Sequence, residues 1–122
     1  MINEKTKNLK SYINKYLKNV WIRINFIGFK YLSIMLLTKN NENFKCTFYE
    51  DVAKICNARA LRVERAIRYI ITIKQEELKK HFQIEYKITN KVLFELLRNE
   101  LNEELYEFNM KQEFLSKWNV NI

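Results

Sequence analysis

The chain has 122 residues, with no proline and a single glycine, Gly28. Tight β-hairpins depend on residues that accept positive φ, and glycine is the main one. A chain this poor in glycine is therefore unsuited to a sheet built from short hairpins. Proline, which interrupts helices, is missing as well. Together these two absences favour an all-helical fold.

Groups that could bind a metal, form a disulfide or perform catalysis are few. Cys46, Cys56 and His81 are the only cysteines and histidine, and their spacing matches no zinc motif. With no signal peptide in view, we expect a reducing cytoplasm and no disulfide. Cys56 and His81 should lie on different helices, and no phosphate loop, carboxylate pair or nucleophile elbow is present. We expect no metal, no cofactor and no enzymatic activity.

Long uninterrupted apolar runs are also absent. The most apolar stretch, residues 20–37, contains Arg23, Asn25 and Lys30, which leave too short a segment to cross a bilayer. Hydrophobic residues still make up 48% of the chain, enough for the core of one domain over residues 1–122. We expect no membrane partner and a cytoplasmic, nucleoid-associated location.

Positive charge is concentrated towards the N-terminus. Residues 1–45 carry nine basic and two acidic groups, and residues 46–74 carry six basic and three acidic. Residues 75–122 carry seven basic and nine acidic groups, so the net charge of +8 arises entirely before residue 75. A one-sided basic field attracts a polyanion and guides its approach.

Apolar residues at helical spacing predict an all-α fold, a compact bundle of about six helices. The first two are expected near residues 7–20 and 26–38, the second being apolar nearly all round and therefore central. Thr47 and Glu50 have capping-box spacing at the start of the third helix. A fourth is expected at 60–72, a short fifth at 76–82, an extended stretch at 83–87, and a last helix capped by Thr89. Residues 107–122, a C-terminal extension containing Phe114 and Trp118, form either a further amphipathic turn or a docking segment.

Residues 49–73 predict two short helices joined by a tight turn. Val52, Ala53 and Ile55 place apolar groups on the inner side of the first helix, which Cys56 ends as a small buried residue. Asn57 stands at the turn, where asparagine often replaces glycine at positive φ. The buried stripe of the second helix consists of Val63, Ala66, Ile67 and Ile70. This layout is that of a helix-turn-helix, whose second helix enters the major groove of DNA.

Arginines occupy the opposite face of that second helix. The face consists of Arg62, Arg65, Tyr69 and Thr72, with Arg59 at the helix start and Arg68 and Glu64 at its flank. Arginine matches guanine O6 and N7, and a carboxylate accepts from cytosine N4. Phosphate binding alone gains nothing from an acid among arginines, whereas base readout can use one. A solvated surface with ordinary charge pairs is the alternative interpretation.

The segment resembles the C-terminal DNA-binding effector domain of the stage zero sporulation protein A family, the master response regulators of sporulation. Residues 62–68, Arg-Val-Glu-Arg-Ala-Ile-Arg, are similar to its recognition helix, and residues 51–54 to its DIAKK helix. Weaker similarities at residues 27–32 and 89–94 extend the resemblance over about residues 9–106.

The resemblance implies a compact helical domain that regulates transcription by binding double-stranded DNA at a TGTCGAA-type box. It implies base contacts from Arg62, Glu64 and Arg65, and backbone or edge contacts from Arg59, Arg68 and Tyr69. Further partners expected from the family are a second copy of the chain on tandem or inverted sites and RNA polymerase.

This chain departs from the family pattern in ways that leave alternatives open. We expect no receiver domain, because 122 residues leave no room for one. Leu61 replaces a serine, Tyr69 replaces a histidine, and the stretch before Thr89 is shorter. Tandem dimer geometry is therefore open. The alternative functions are a plasmid or phage accessory DNA-binding factor, an antagonist of the sporulation regulator, or a protein-interaction module that uses the last helix and tail.

Overall fold

The structure of the chain is a computed structural model that describes residues 4–20, 22–23 and 26–117, with side chains from residue 8 to residue 113 within those ranges. Its regular elements there are all helices: α1 (Glu4–Asn19), α2 (Ile27–Lys39), α3 (Thr47–Cys56), α4 (Ala60–Phe82) and α5 (Asn90–Lys117). Buried side chains from all five form one core. The predicted all-α class is confirmed, with five helices described instead of about six. Across the described ranges, none of the helices has the length and apolar character needed to span a bilayer.

Helix α2 is the centre of the bundle and packs against each of the other four helices. Eight of its thirteen residues are buried, as its apolar sequence predicted. Gly28 makes the crossing with α4 possible: a Cβ built on it would lie 2.7 Å from the Ala66 carbonyl oxygen and 2.5 Å from Ile70 Cδ1. The single glycine therefore sets how closely the first turn of α2 approaches the middle of α4.

Helix α3 is anchored by aromatic packing and ends in a left-handed residue. Phe48 is buried edge-on against Phe94 of α5. Asn57 has φ 53° and ψ 49°, which confirms the predicted positive φ. The N–H groups of Asn57 and Ala58 both donate to the Ala53 carbonyl, which closes the last turn of the helix.

Three predictions about α3 are wrong. Thr47 is the first helical residue, preceded by Cys46 in a helical conformation, and no side chain caps the helix, so the capping box is absent. Ile55 is 59% exposed because Phe48, Val52 and Ala53 occupy the inner face. Cys56 ends the helix as predicted but is only half-buried.

Helix α4 joins the predicted fourth and fifth helices into one element with a kink. Lys74, at φ −110° and ψ 15°, is the one residue inside it with non-helical dihedrals. Residues 70–73 are all β-branched, which lowers helix propensity. The Thr72 hydroxyl also donates to the Arg68 carbonyl at 3.0 Å, a bond that tends to bend helices. The helix ends at Gln83, whose φ of 56° is left-handed.

Helix α5 begins as predicted and continues further than expected. The Thr89 hydroxyl accepts the Val92 N–H at 3.3 Å, which confirms the predicted cap. Leu93, Leu97 and Leu101 of the predicted apolar stripe are buried, while residues 106–113 are exposed on the same continuous helix. The side chains of Phe114 and Trp118, named for the predicted docking tail, lie outside the described residues.

Candidate nucleic-acid interface

The candidate interface is the outer face of the first part of α4. Val63, Ile67 and Ile70 are buried as predicted, so the helix can turn only its other side to solvent. That side exposes the side chains of Arg59, Leu61, Arg62, Arg65, Arg68, Tyr69 and Thr72. The structure therefore places every predicted arginine at the surface on one side of the molecule.

A groove of about 880 Å³ runs between this face and the start of α2. Its lining combines cations with apolar groups: Phe26, Ile27, Gly28, Arg59, Leu61, Arg62, Arg65, Ala66 and Tyr69. Phe26 contacts Tyr69 edge-on, with ring centroids 6.2 Å apart. Sequence reasoning missed Phe26 and Ile27, because only the close crossing of α2 over α4 brings them to the arginines.

A second, neighbouring cleft of about 600 Å³ surrounds the turn between α3 and α4. It is lined by Lys30 and Tyr31 of α2 together with Asn57, Arg59 and Arg62. Lys30 is an exposed cation on a helix that is otherwise mostly buried. In the sequence, Lys30 interrupts an apolar stretch. This interruption is the signal that could have identified Lys30 as a site residue.

Glu64 and Arg68 form an ion pair on the flank of α4. The Arg68 guanidinium lies 3.1 Å from the Glu64 carboxylate, and the two side chains are 59% and 26% exposed. They line a smaller cleft towards α5, away from the groove that holds Arg62 and Arg65. To make the predicted base contact, the Glu64 carboxylate would therefore have to release Arg68 and accept a hydrogen bond from a base instead. That contact stays a prediction.

Hydrogen bonds from two amide side chains hold α4 in place. The Asn90 Nδ2 donates to the Tyr49 hydroxyl at 3.1 Å and to the Glu64 carbonyl at 3.0 Å, so α3, α4 and α5 meet at one residue. The Gln75 carboxamide exchanges two bonds with the backbone of Ile88, at 2.8 and 3.3 Å. Burial raises the pKa of the Tyr49 hydroxyl above its ordinary value.

The N-terminus of α4 is basic and has no capping side chain. Arg59 is the N-cap residue, its side chain makes no cap hydrogen bond, and the first turn holds no acidic residue. The positive end of a helix dipole favours anions, so Arg59 and Arg62 are unfavourably placed in the isolated molecule. An incoming anion would relieve this arrangement.

Comparisons of the chain with family models, with curated proteins and with solved structures gave no match. The resemblance to the sporulation regulator therefore stays a prediction from residues 9–106. Within the described ranges, no group of three or more histidine, cysteine, aspartate or glutamate side chains is arranged to hold a metal ion.

Proposed function

We propose that this chain is a sequence-specific regulator that binds double-stranded DNA and reads the major groove with residues 60–72. In this proposal, α3, the turn at Asn57 and the first part of α4 act as a helix-turn-helix. Arg62 and Arg65 contact base edges, and Arg59 and Lys30 contact phosphates. The Glu64 carboxylate, the Arg68 guanidinium and the Tyr69 ring lie at the edge of the readout.

The observation that carries the proposal is the exposure of Arg62 and Arg65 on a helix whose opposite side buries Val63, Ile67 and Ile70. Neither guanidinium forms an ion pair within the described residues, whereas Arg68 does. A guanidinium left open to solvent is available for bidentate contact with guanine. The cations on α2, the turn and α4 give this side the charge needed to approach a duplex.

The proposal is tested by fluorescence anisotropy with a duplex that carries a TGTCGAA-type box and a scrambled duplex, each at two salt concentrations. We expect the wild type to prefer the box. Replacing Arg65 by alanine should weaken binding to the box by about 1–3 kcal/mol and relax specificity at one base pair. Binding to the scrambled duplex should change far less.

Lys111→Ala is the matched control, since it removes one exposed cation from α5. If Arg65→Ala and Lys111→Ala weaken binding equally on both duplexes, the arginine face contributes only charge. If wild type binds neither duplex, the DNA proposal fails. Transcription control and the accessory or antagonist roles would all use these same contacts.

A protein-interaction role is the second candidate, favoured by the exposed end of α5. Tyr106, Phe108 and Met110 are each about half exposed or more there. Sedimentation of wild type and Tyr106→Glu tests whether this end pairs two copies of the chain. A dimer that the substitution dissociates would support pairing, and a monomeric wild type would oppose it.

A further inference from the structure

Leu61 is an apolar residue in the first turn of α4, and 55% of it is exposed. It precedes Arg65 by four residues and Arg68 by seven, so the three side chains lie along one side of the helix. Isolated exposed leucines are common on protein surfaces. This one lies in the groove at the proposed reading face, where Arg59, Arg62 and Arg65 line the same space together with apolar groups from α2 and α4.

The major groove of DNA presents one kind of apolar group, the C5 methyl of thymine. Arginine cannot recognise that methyl group, since its guanidinium has only donors. Leucine has no hydrogen-bonding group, so on a base edge it gains most from contact with that methyl group. A leucine placed among base-reading arginines is therefore matched to thymine.

The spacing fixes where that thymine lies. Four residues of helix advance about 6 Å along the axis, and successive base pairs are about 3.4 Å apart. Leu61 thus lies within about two base pairs of the base that Arg65 contacts. We propose that Leu61 is a specificity-determining residue, which selects thymine at that position by contact with its methyl group. The inference rests on the proposed function and adds a contact to it.

The test uses a duplex that the wild-type protein itself selects from a library with a randomised central segment. Each thymine in the selected duplex is replaced singly by deoxyuridine, which removes only the methyl group. We expect a loss of about three- to fivefold in wild-type affinity at one thymine, the amount expected for one buried methyl group. Binding by Leu61→Ala should be weaker on the thymine duplex and insensitive to uracil at that position.

The Arg65→Ala variant identifies the base pair that Arg65 contacts, because the specificity of this variant should relax at that pair. Tyr86→Ala removes an exposed aromatic side chain between α4 and α5 and should keep the wild-type response to uracil. The inference is overturned if uracil leaves the affinity of wild type unchanged at every thymine. It is equally overturned if uracil lowers the affinity of Leu61→Ala as much as it lowers that of wild type. It is also overturned if no thymine lies within two base pairs of the Arg65 position. Failure of the proposed function looks different: no sequence is enriched, and Arg65→Ala binds like wild type.

Discussion

Because Gly28 has no Cβ, it shapes the candidate interface. Alanine in a helix is ordinarily more favourable than glycine by about 1 kcal/mol. Here a Cβ would meet the Ala66 carbonyl, a backbone group that cannot rotate away. The groove between α2 and α4 depends on this close approach, because Phe26 and Ile27 precede Gly28 directly.

We therefore expect Gly28→Ala to lower the free energy of unfolding by about 1–3 kcal/mol, since overpacking outweighs the gain in helix propensity. Urea denaturation measures the change. Ile70→Val removes the Cδ1 atom that lies 2.5 Å from the added Cβ, so the double variant should lose less stability than the sum of the two single variants. A Gly28→Ala variant more stable than wild type would contradict the described crossing.

Glu100 is a second residue with effects beyond its own helix. Its Oε1 accepts the Tyr16 hydroxyl at 2.8 Å and lies 2.7 Å from His81 Nε2, which joins α1 and the end of α4 to α5. Burial, followed by the bond to Glu100, raises the pKa of Tyr16 well above its ordinary value. The folded state therefore keeps the Tyr16 hydroxyl protonated at alkaline pH values at which the unfolded chain ionises it.

The sign of the pH dependence follows from that raised pKa. The Tyr16 contribution should be fully present below about pH 10, the pKa of an unfolded tyrosine, and lost as pH rises towards the folded pKa. At neutral pH, Tyr16→Phe should cost about 1 kcal/mol for the lost hydrogen bond. Urea denaturation from about pH 8 to about pH 11 should show the difference from wild type shrinking. A constant difference would contradict this assignment.

At the scale of elements, the first turn of α4 suits the binding of an anion better than it suits the stability of the helix. Arg59 has extended dihedrals, φ −95° and ψ 145°, which suit a capping serine. A serine hydroxyl there could accept an N–H of the first turn, and removing the arginine would take a cation from the positive end of the dipole.

We expect Arg59→Ser to raise the free energy of unfolding by about 0.5–1 kcal/mol while weakening binding to all duplexes alike. Thermal denaturation and anisotropy, measured on the same preparation, give the two effects. Arg59→Ala removes the cation without adding a cap and should weaken binding with little gain in stability. A serine variant that binds DNA as tightly as wild type would remove Arg59 from the interface.

Local patterns predicted the elements better than their ends and contacts. Apolar spacing located α1, α2 and the buried stripe of α4, because that spacing repeats within each helix. The positive φ at Asn57 was also predictable from residue type. The absence of a cap at Thr47 and the exposure of Ile55 were not predictable, because neighbouring residues also shape the turn at Cys46 and the inner face of α3. The groove was not predictable either, since it depends on how α2 crosses α4.

At the scale of the whole molecule, the distribution of charge decides how a duplex would approach. The cations of α2, the turn and α4 lie on the side that holds the groove. The exposed end of α5 includes Glu103, Glu107 and Glu113. A polyanion is therefore attracted more strongly to the groove than to this end of α5.

Lys30 tests this arrangement, because it lies on α2 and outside the predicted motif. Lys30→Ala should weaken binding to specific and scrambled duplexes alike and reduce the slope of log affinity against log salt by about one. Anisotropy over a series of salt concentrations measures that slope. Lys111→Ala, far along α5, should leave it unchanged. An unchanged slope for Lys30→Ala would place α2 away from the phosphates.

The kink at Lys74 separates two parts of α4 that hold different partners. Before it lie the arginines, and after it lie Leu78 in the core and His81 beside Glu100. In a straight helix, a residue inserted or deleted in the second part would rotate every side chain relative to the first. A break in the helix can absorb such a change. Under the proposed function, the attachment of α4 to α5 can therefore change without changing which bases the arginine face would read, and that face can diverge while the scaffold stays the same.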